Sequence, residues 1–313
     1  MKKIVLLFTI IGIAIVTSCN NDDDDIGEVI PPRLLSDVEA ENDSTIVAFL
    51  RNNTYNYEEF QNAEAGFDFK IRFSPLEGDN AEKDAIFDRT ELITEIISVK
   101  STDFGRDDGE EIAHKLYILV ARQGVVNDSM PTIGDNSVLR YEGSLVDGTF
   151  FDASSNQPVV FNLSGLVRGF GNGMEYLQKG NGPIDNDDGT ISYTEYGVGA
   201  FFIPSGLGYF ASPPSGSIPA YESLIFTVDA FDYEPNTDTD GDGIPNFLED
   251  VDGDGNLNFD DTDEDNAPNY IDADDDNDGT PTLEEISDAN GDISIPYPDS
   301  DNDGTPDYLD SDS

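Results

Sequence analysis

Hydrophobic and polar positions follow two different periods in the first third of the chain. The segment "FDFKIRF", residues 67 to 73, alternates apolar and polar side chains, which predicts a half-buried strand. Before it, Ser36 and Glu39 have the spacing of a capping box that opens a helix. The apolar positions of that helix are Val38, Ile46, Val47, Phe49 and Leu50. Residues 36 to 112 are therefore expected to be an α+β region, and nothing in their sequence indicates a role.

Strand-like runs return with "HKLYILVARQG", continue through "SVLRYEG" and end at "SLIFTVDAFDYE", with turn residues between them. From Pro235 onward, aliphatic residues become rare and aspartate dominates. His114 is the only histidine, so histidine triads and multi-histidine metal sites lack the residues they need. We predict that His114 is a strand residue.

Charge narrows the possible partners. The 313 residues carry a formal net charge of -51, with a pI near 4.1, whereas surfaces that follow nucleic-acid phosphates need clustered Lys and Arg. No nucleic-acid partner is expected. The aromatic content of 10% is too high for a wholly disordered acidic chain. Cys19 is the only cysteine, which excludes an intramolecular disulfide.

The N-terminus, "MKKIVLLFTIIGIAIVTSC", has two lysines, an apolar run and small residues before Cys19, which is typical of a secretory signal. Its last four residues resemble the lipobox of bacterial lipoproteins. The resemblance implies a signal peptide over residues 1–19 and an acylated Cys19 as membrane anchor, with residues 20–35 as an acidic tether. The protein is then expected in the bacterial cell envelope, on either face of the outer membrane. An uncleaved helix, or an ordinary signal with an incidental cysteine, is the alternative.

Four motifs in the middle of the chain carry a more specific signal. They are "VLRYEGSLVDGTFFDAS", "VVFNLSGLVRGFGNGMEYLQKG", "IPSGLGYF" and "SIPAYESLIFTVDAF". In this order they resemble an FKBP-type peptidyl-prolyl cis-trans isomerase over residues 113–233. The resemblance implies a strongly bent antiparallel sheet over one short helix that opens near residues 166–169. A proline pocket is expected between sheet and helix, and proline-containing polypeptides are the expected partners.

Ten residues fall on motif positions that line the family's pocket, and the resemblance implies that they form the catalytic site. They are Tyr141, Phe151, Asp152, Phe161, Leu166, Val167, Phe170, Tyr209, Ile218 and Phe226. The resemblance further implies that Tyr209 donates a hydrogen bond to the substrate carbonyl and that Asp152 holds Tyr141 in place. The alternative is that the aromatic residues are simply core, and for Phe161 and Phe226 both interpretations stay open.

An apolar pocket of this kind needs no cofactor, because rotation about an X-Pro bond requires no nucleophile, metal or proton relay. Four features depart from the family pattern, and the first is a slightly short span from Pro158 to Arg168. Phe170 stands where many members have tryptophan, Phe210 stands where glycine is usual, and "NGPIDNDDGTISYTEYG" looks inserted. The competing hypothesis for this domain is therefore a surface lipoprotein that binds proline peptides without turnover.

The acidic tail, residues 236–313, repeats a pattern of oxygen ligands. Aspartates at alternate positions, then glycine, then an acid at position twelve are what a calcium loop requires. The predicted ligands of the four complete loops are Asp238, Asp240, Asp242 and Glu249; Asp250, Asp252, Asp254 and Asp261; Asp274, Asp276, Asp278 and Glu285; and Asp299, Asp301, Asp303 and Asp310. A degenerate copy uses Asp261, Asp263, Asp265 and Asp272, with Asn266 at the glycine position.

Long amphipathic helices are missing between these loops, which argues against paired EF-hands. "DNDGTPTLEE" and "DSDNDGTPDYLD" resemble thrombospondin type 3 repeats, which implies structural Ca²⁺ in an extended tail of little regular secondary structure. The alternative is a disordered, solubilising acidic tail. The expected fold class for the whole chain is α+β.

Overall fold

The structure, a computed structural model, describes residues 32–125, 130–154 and 157–313. The predicted signal peptide, most of the tether and Cys19 lie outside the described residues. The part from Pro32 to Ser313 forms one compact unit. Its α-helices are α1 (Leu35–Asn52), α2 (Tyr57–Gln61), α3 (Arg168–Met174) and α4 (Thr282–Glu285). Its strands are β1 (Asn53–Tyr55), β2 (Phe73–Pro75), β3 (Leu92–Lys100), β4 (Glu111–Arg122), β5 (Asn136–Leu145), β6 (Phe150–Ala153), β7 (Val159–Asn162), β8 (Asn181–Asp185), β9 (Ile191–Thr194), β10 (Gly197–Ile203) and β11 (Leu224–Glu234).

Seven of these strands form one antiparallel sheet in the order β3-β4-β10-β11-β5-β6, with β7 also paired to β5. In its centre, Phe201 of β10 faces Ile118 of β4 on one side and Phe226 of β11 on the other. All seven residues of β10 are buried. A strand without the usual polar alternation is expected where both faces of a sheet are covered. The mixed architecture agrees with the predicted α+β class.

The short helix α3 covers one face of the sheet. It begins at Arg168, directly after Leu166 and Val167, as the motif predicts. Phe170 and Met174 are buried there against Phe201 of β10 and Phe226 of β11. The core of this face also includes residues of β3, which precedes residue 113 in the chain. The sheet therefore extends beyond the boundary that the motifs predicted for the domain.

Helix α1 covers the opposite face. Ile46 and Leu50 are fully buried and belong to a core cluster with Phe202 of β10 and Ile225 of β11. The predicted capping box is wrong, because α1 already begins at Leu35 and its N-cap, Leu34, makes no side-chain cap. Ser36 instead donates a hydrogen bond of 2.5 Å to Glu110.

The strand predicted for residues 67 to 73 is also wrong, since only Phe73 belongs to a strand, β2. The backbone of Phe69 has φ +53°, which a regular strand cannot contain. The alternating phenylalanines pack locally: Phe60, Phe67 and Phe69 form an edge-to-face cluster with ring centroids 4.9 to 6.1 Å apart. Aromatic packing within an irregular segment therefore produced the period-two pattern.

The tail contains only short turns of 3-10 helix and the four-residue α4. Its loops, expected to be extended, meet in a small core of their own. Ile244 from the first loop packs with Ile286 and Tyr308 from later loops, and all three are buried. Asn246 also donates a hydrogen bond of 3.0 Å to the Gly134 carbonyl just before β5. The tail is thus folded back on itself and attached to the sheet domain.

Candidate functional site

One apolar cavity of about 410 Å³ opens between the sheet and α3. Its lining contains all ten residues that the motifs placed in the pocket, together with two from the loop after Tyr209. The lining residues are Tyr141, Phe151, Asp152, Phe161, Leu166, Val167, Phe170, Tyr209, Pro214, Ser215, Ile218 and Phe226. Sequence reasoning missed Pro214 and Ser215, because they lie in an irregular loop between two motifs.

The walls of the cavity come from neighbouring strands. Phe151 of β6 meets Phe226 of β11 edge to face, with ring centroids 5.5 Å apart. The ring of Phe151 lies across β5 at Gly143, where a Cβ atom would come within 2.5 Å of it. Glycine at this position therefore lets the Phe151 ring reach the cavity. Phe226 is both core and cavity wall, since it is buried and also lines the opening.

Phe170 supplies the floor from α3. Its ring stands edge to face against Phe226 at 5.1 Å and against Phe201 at 5.5 Å. Phe170 is only 3% exposed, and the aromatic rings around it fix its orientation. The floor of the cavity is therefore an apolar aromatic surface that neighbouring rings hold in place.

The polar edge of the cavity contains two tyrosines and one carboxylate. Tyr141 donates a hydrogen bond of 2.6 Å from its hydroxyl to Oδ2 of Asp152. Burial and this bond raise the pKa of Tyr141 above its usual range, so the hydroxyl stays protonated. Burial, with a smaller contribution from Asp152, also raises the pKa of Tyr209. At neutral pH the edge therefore presents two neutral hydroxyls and one acidic side chain.

The sequence that looked inserted forms its own hairpin of β8 and β9. Tyr193 of β9 stacks on Phe231 of β11 with ring centroids 5.1 Å apart. His114 lies on β4, as predicted, and is fully buried, with its Nδ1 2.9 Å from the Ile112 carbonyl oxygen.

The tail contains a second candidate site, a series of five acidic loops that share one backbone feature. The four complete loops are numbered first to fourth and begin at Asp238, Asp250, Asp274 and Asp299, and the degenerate copy begins at Asp261. The sixth residue of each loop has a left-handed conformation, with φ of +99° at Gly243, +78° at Gly255, +78° at Asn266, +96° at Gly279 and +106° at Gly304. Asparagine tolerates this conformation better than most residues, which explains why the degenerate copy can use Asn266. Backbone N–H groups hold the carboxylates of the predicted ligands in position. In the first loop, Gly243 donates to Asp238 at 3.1 Å and Asp242 donates to Asp240 at 3.2 Å.

The carboxylates converge as groups of three in several places. Four such groups are Asp238, Asp240 and Asp242; Asp250, Asp252 and Asp260; Asp261, Asp263 and Asp265; and Asp274, Asp276 and Asp278. In the second loop, Asp260 comes together with Asp250 and Asp252, whereas the predicted Asp261 groups with Asp263 and Asp265. Two further predicted ligands, Glu285 and Asp272, face the carboxylates of their own loops. Burial is the largest cause that raises the pKa of each, and repulsion by these carboxylates raises it further.

A further group crosses between loops and contains a residue that the spacing did not predict. Asp242 and Glu249 of the first loop meet Asp275 of the third. Asp275 occupies the second position of its loop, between two predicted ligands. The linear pattern could not identify it, because its partners are more than twenty residues away.

The second loop is attached to the sheet and to α3 by ion pairs and hydrogen bonds. Lys100 of β3 donates a hydrogen bond of 2.7 Å to Asp252, and Arg168 at the start of α3 lies 3.5 Å from Asp254. Asn258 donates to the Ser164 carbonyl at 2.8 Å. These basic side chains offset part of the negative charge of a tail that contains no Lys or Arg of its own.

Comparison with known proteins shows what two parts of this chain are similar to. Residues 127–183 match the family described as FKBP-type peptidyl-prolyl cis-trans isomerase, a range that contains seven of the ten predicted cavity residues. This part of the chain is therefore similar to FKBP-type peptidyl-prolyl cis-trans isomerases. Residues 239–298 of the tail match a second family, described as BamM C-terminal.

The similar proteins include two curated bacterial isomerases. The chain is 30% identical over 125 residues to the probable FKBP-type peptidyl-prolyl cis-trans isomerase FkpA of Neisseria meningitidis, covering 39% of each. It is 27% identical over 140 residues to FkpA of Escherichia coli, covering 42% of this chain and 46% of that one. The matches thus span less than half the length of these relatives. The crystal structure of Escherichia coli FkpA aligns with a TM-score of 0.35 at 20% identity, over 64% of each chain.

Proposed function

We propose that the cavity between the sheet and α3 accelerates cis-trans rotation of X-Pro bonds in exported or surface proteins. The observation that carries this proposal is the convergence of the ten motif residues on one apolar cavity of about 410 Å³. In this proposal the pyrrolidine ring binds among Phe151, Phe170 and Phe226, which line the cavity, and the hydroxyl of Tyr209 donates to a substrate carbonyl oxygen.

The proposed mechanism relies on solvation and orientation alone. Rotation of a peptide bond has a barrier of about 18–20 kcal/mol, because resonance gives the C–N bond double-bond character. The twisted amide has less charge separation than the planar one, so an apolar cavity favours it. A hydrogen bond from Tyr209 holds the substrate carbonyl, while Asp152 fixes Tyr141. Lowering the barrier by about 5 kcal/mol accelerates rotation several thousandfold.

Replacing Phe151 by alanine in the full chain tests this assignment. The variant loses one apolar wall, so kcat/KM toward a short X-Pro peptide in a protease-coupled assay should fall at least about tenfold, or about 1.4 kcal/mol. Phe150→Ala is the matched control, because Phe150 is the neighbouring residue, is 58% exposed and does not line the cavity. Its kcat/KM should stay within twofold of the wild type. Equal effects of the two substitutions would contradict the proposal.

A protein that binds proline peptides without turnover is the second candidate. The observation that favours it is Phe210, a bulky residue with φ +46° directly after Tyr209. In that case the peptide would bind in the same cavity and its isomerisation rate would equal the uncatalysed rate.

We further propose that the tail binds Ca²⁺ as a structural ion. Support comes from the five loops of shared conformation and from buried ligand oxygens. Glu249 is 1% exposed, and among the described residues neither of its carboxylate oxygens has a hydrogen-bond partner. A buried carboxylate without a partner is costly unless a cation binds it. Ions counted on the wild-type chain by native mass spectrometry test this role.

We also propose that the mature protein is anchored by an acylated Cys19 in a bacterial outer membrane. The support is the signal-like N-terminal sequence. No helix among the described residues is long and apolar enough to cross a membrane.

Expression of a Cys19→Ser variant, followed by membrane fractionation, tests the anchor. Without a thiol to acylate, the protein should move from the membrane fraction to the soluble fraction. Unchanged membrane association of the variant would contradict the role of Cys19.

A further inference from the structure

Three buried carboxylates from two different loops converge in the tail. Asp242 and Glu249 belong to the first loop, and Asp275 belongs to the third. One oxygen of each lies within 4.8 Å of an oxygen of the others. Their exposures are 2%, 1% and 1%, so water does not screen them. Carboxylates this close and this buried repel one another strongly unless a cation or protons lie among them.

Most carboxylate oxygens of these three residues lack a protein partner in the part of the chain that the structure describes. Among the described residues, both oxygens of Glu249, both of Asp275 and Oδ2 of Asp242 lack a hydrogen bond. The cluster is therefore built from nearly fully buried acidic groups that are left unsatisfied by the protein itself.

Asp275 is distinctive when the five loops are compared. The residues at the second position of the other loops are neutral: Thr239, Val251, Thr262 and Ser300. The backbone N–H at this position is held by a side chain further along the loop, as Thr282 Oγ1 holds Asp275 at 3.2 Å and Asn246 Oδ1 holds Thr239 at 2.9 Å. The loop conformation therefore does not require an acid at this position, and the carboxylate of Asp275 is available for another task.

The negative charge of the carboxylates around Asp242 indicates that one divalent cation is too few to neutralise them. Asp242 belongs both to the first-loop group, with Asp238 and Asp240, and to the cross-loop group. The five carboxylates of the two groups carry a formal charge of −5, which one divalent cation leaves at −3 and two reduce to −1. Hard oxygen ligands of this kind suit Ca²⁺.

We propose that Asp242, Glu249 and Asp275 hold a second divalent cation beside the ion of the first loop, with Asp242 shared between the two. The inference rests on the proposed calcium binding of the tail. The second ion ties the first loop to the third, next to the small core of Ile244, Ile286 and Tyr308. It makes the fold of the tail, and not only of single loops, dependent on calcium.

Substitutions at Asp275 in the full chain test this site. Asp275→Asn removes the charge, and Asp275→Ser introduces the residue type that the last loop carries at the same position. Native mass spectrometry should count one Ca²⁺ fewer on each variant than on the wild type. Glu284→Gln is the matched control, because Glu284 is an exposed acid on α4 close in sequence. Its ion count should equal that of the wild type.

Thermal unfolding gives a second measurement. The Asp275 substitutions should change the melting temperature in opposite directions without Ca²⁺ and with Ca²⁺. With a chelator, both Asp275 variants should melt at a higher temperature than the wild type, because repulsion among the carboxylates is relieved. With millimolar Ca²⁺ they should melt at a lower temperature, because the cross-loop ion is lost. A residue with a purely structural role would shift both melts in the same direction.

The outcomes separate the two proposals. A wild-type chain that binds Ca²⁺, with variants of equal ion count and melting behaviour, would overturn the cross-loop site and leave calcium binding by the single loops intact. A wild-type chain that binds no Ca²⁺ would overturn both.

Discussion

Phe210 shows how one residue can depart from a family pattern and still be accommodated. Its φ of +46° lies in the left-handed region, which glycine occupies at little cost. The side chain is 1% exposed, stacks on Phe104 at 4.2 Å and meets Tyr221 edge to face at 5.0 Å. The aromatic contacts therefore offset the backbone strain, and they connect the loop after Tyr209 to the segment that follows β3.

Comparing two substitutions separates these contributions. Phe210→Ala should lower the free energy of unfolding by about 3–5 kcal/mol, because a buried ring is lost while the strained backbone remains. Phe210→Gly should lower it by about 1 kcal/mol less, because glycine removes the cost of the left-handed conformation. Urea unfolding measures both. A glycine variant less stable than the alanine variant would show that the backbone at this position is not strained.

Sequence and structure agree at this scale where motifs are local. The ten cavity residues could be predicted to lie together because each belongs to a short motif of a recognisable family. Pro214 and Ser215 could not, since an irregular loop brings them to the cavity. Asp275 could not be found either, because its partners are set by how the first and third loops pack.

At the scale of elements, α1 is attached to the loop that carries Tyr209 and Ile218. Asn42 of α1 donates a hydrogen bond of 2.9 Å to the Tyr221 carbonyl and accepts one of 2.7 Å from the Ser205 N–H. Asn42 is 7% exposed, so these backbone groups have little access to water. The helix thereby fixes both ends of the cavity loop.

Replacing Asn42 by alanine should destabilise the full chain by about 2–4 kcal/mol, because two backbone groups are left buried and unpaired. Chemical denaturation measures the change. Thr45→Ala is the control on the same helix, since the Thr45 hydroxyl bonds only the Glu41 carbonyl at an exposed position, and it should cost less than about 1 kcal/mol. Similar costs for the two variants would show that α1 does not hold the loop.

Elements were predictable where a long period or a strong motif defined them, as for α1, α3, β4, β5 and β11. The strand expected at residues 67 to 73 failed because alternation alone does not distinguish a strand from an irregular aromatic cluster. The participation of β3 in the sheet was missed because residues 36–112 resemble no motif, and strand pairing is a long-range property.

At the scale of the whole molecule, ion pairs connect the acidic tail to the sheet domain. The chain carries 66 acidic and 15 basic residues, and its last Lys or Arg is Lys179. Basic residues of the sheet domain reach the tail, as Lys100 does at Asp252 and Arg168 does at Asp254. Arg168 follows the cavity residue Val167 directly. The tail is therefore in contact with the segment that forms the cavity floor.

In the proposed function, the cavity catalyses rotation of X-Pro bonds and does not merely bind proline peptides. Two-dimensional exchange NMR on a short X-Pro peptide, with catalytic amounts of the full chain, tests it most directly, because it measures cis-trans exchange at equilibrium. We expect exchange cross-peaks with the wild type and with Phe150→Ala, on a timescale far shorter than the tens to hundreds of seconds of the uncatalysed reaction. Phe151→Ala should show markedly slower exchange. Peptide shifts that report binding, with exchange no faster than in free peptide, would contradict it.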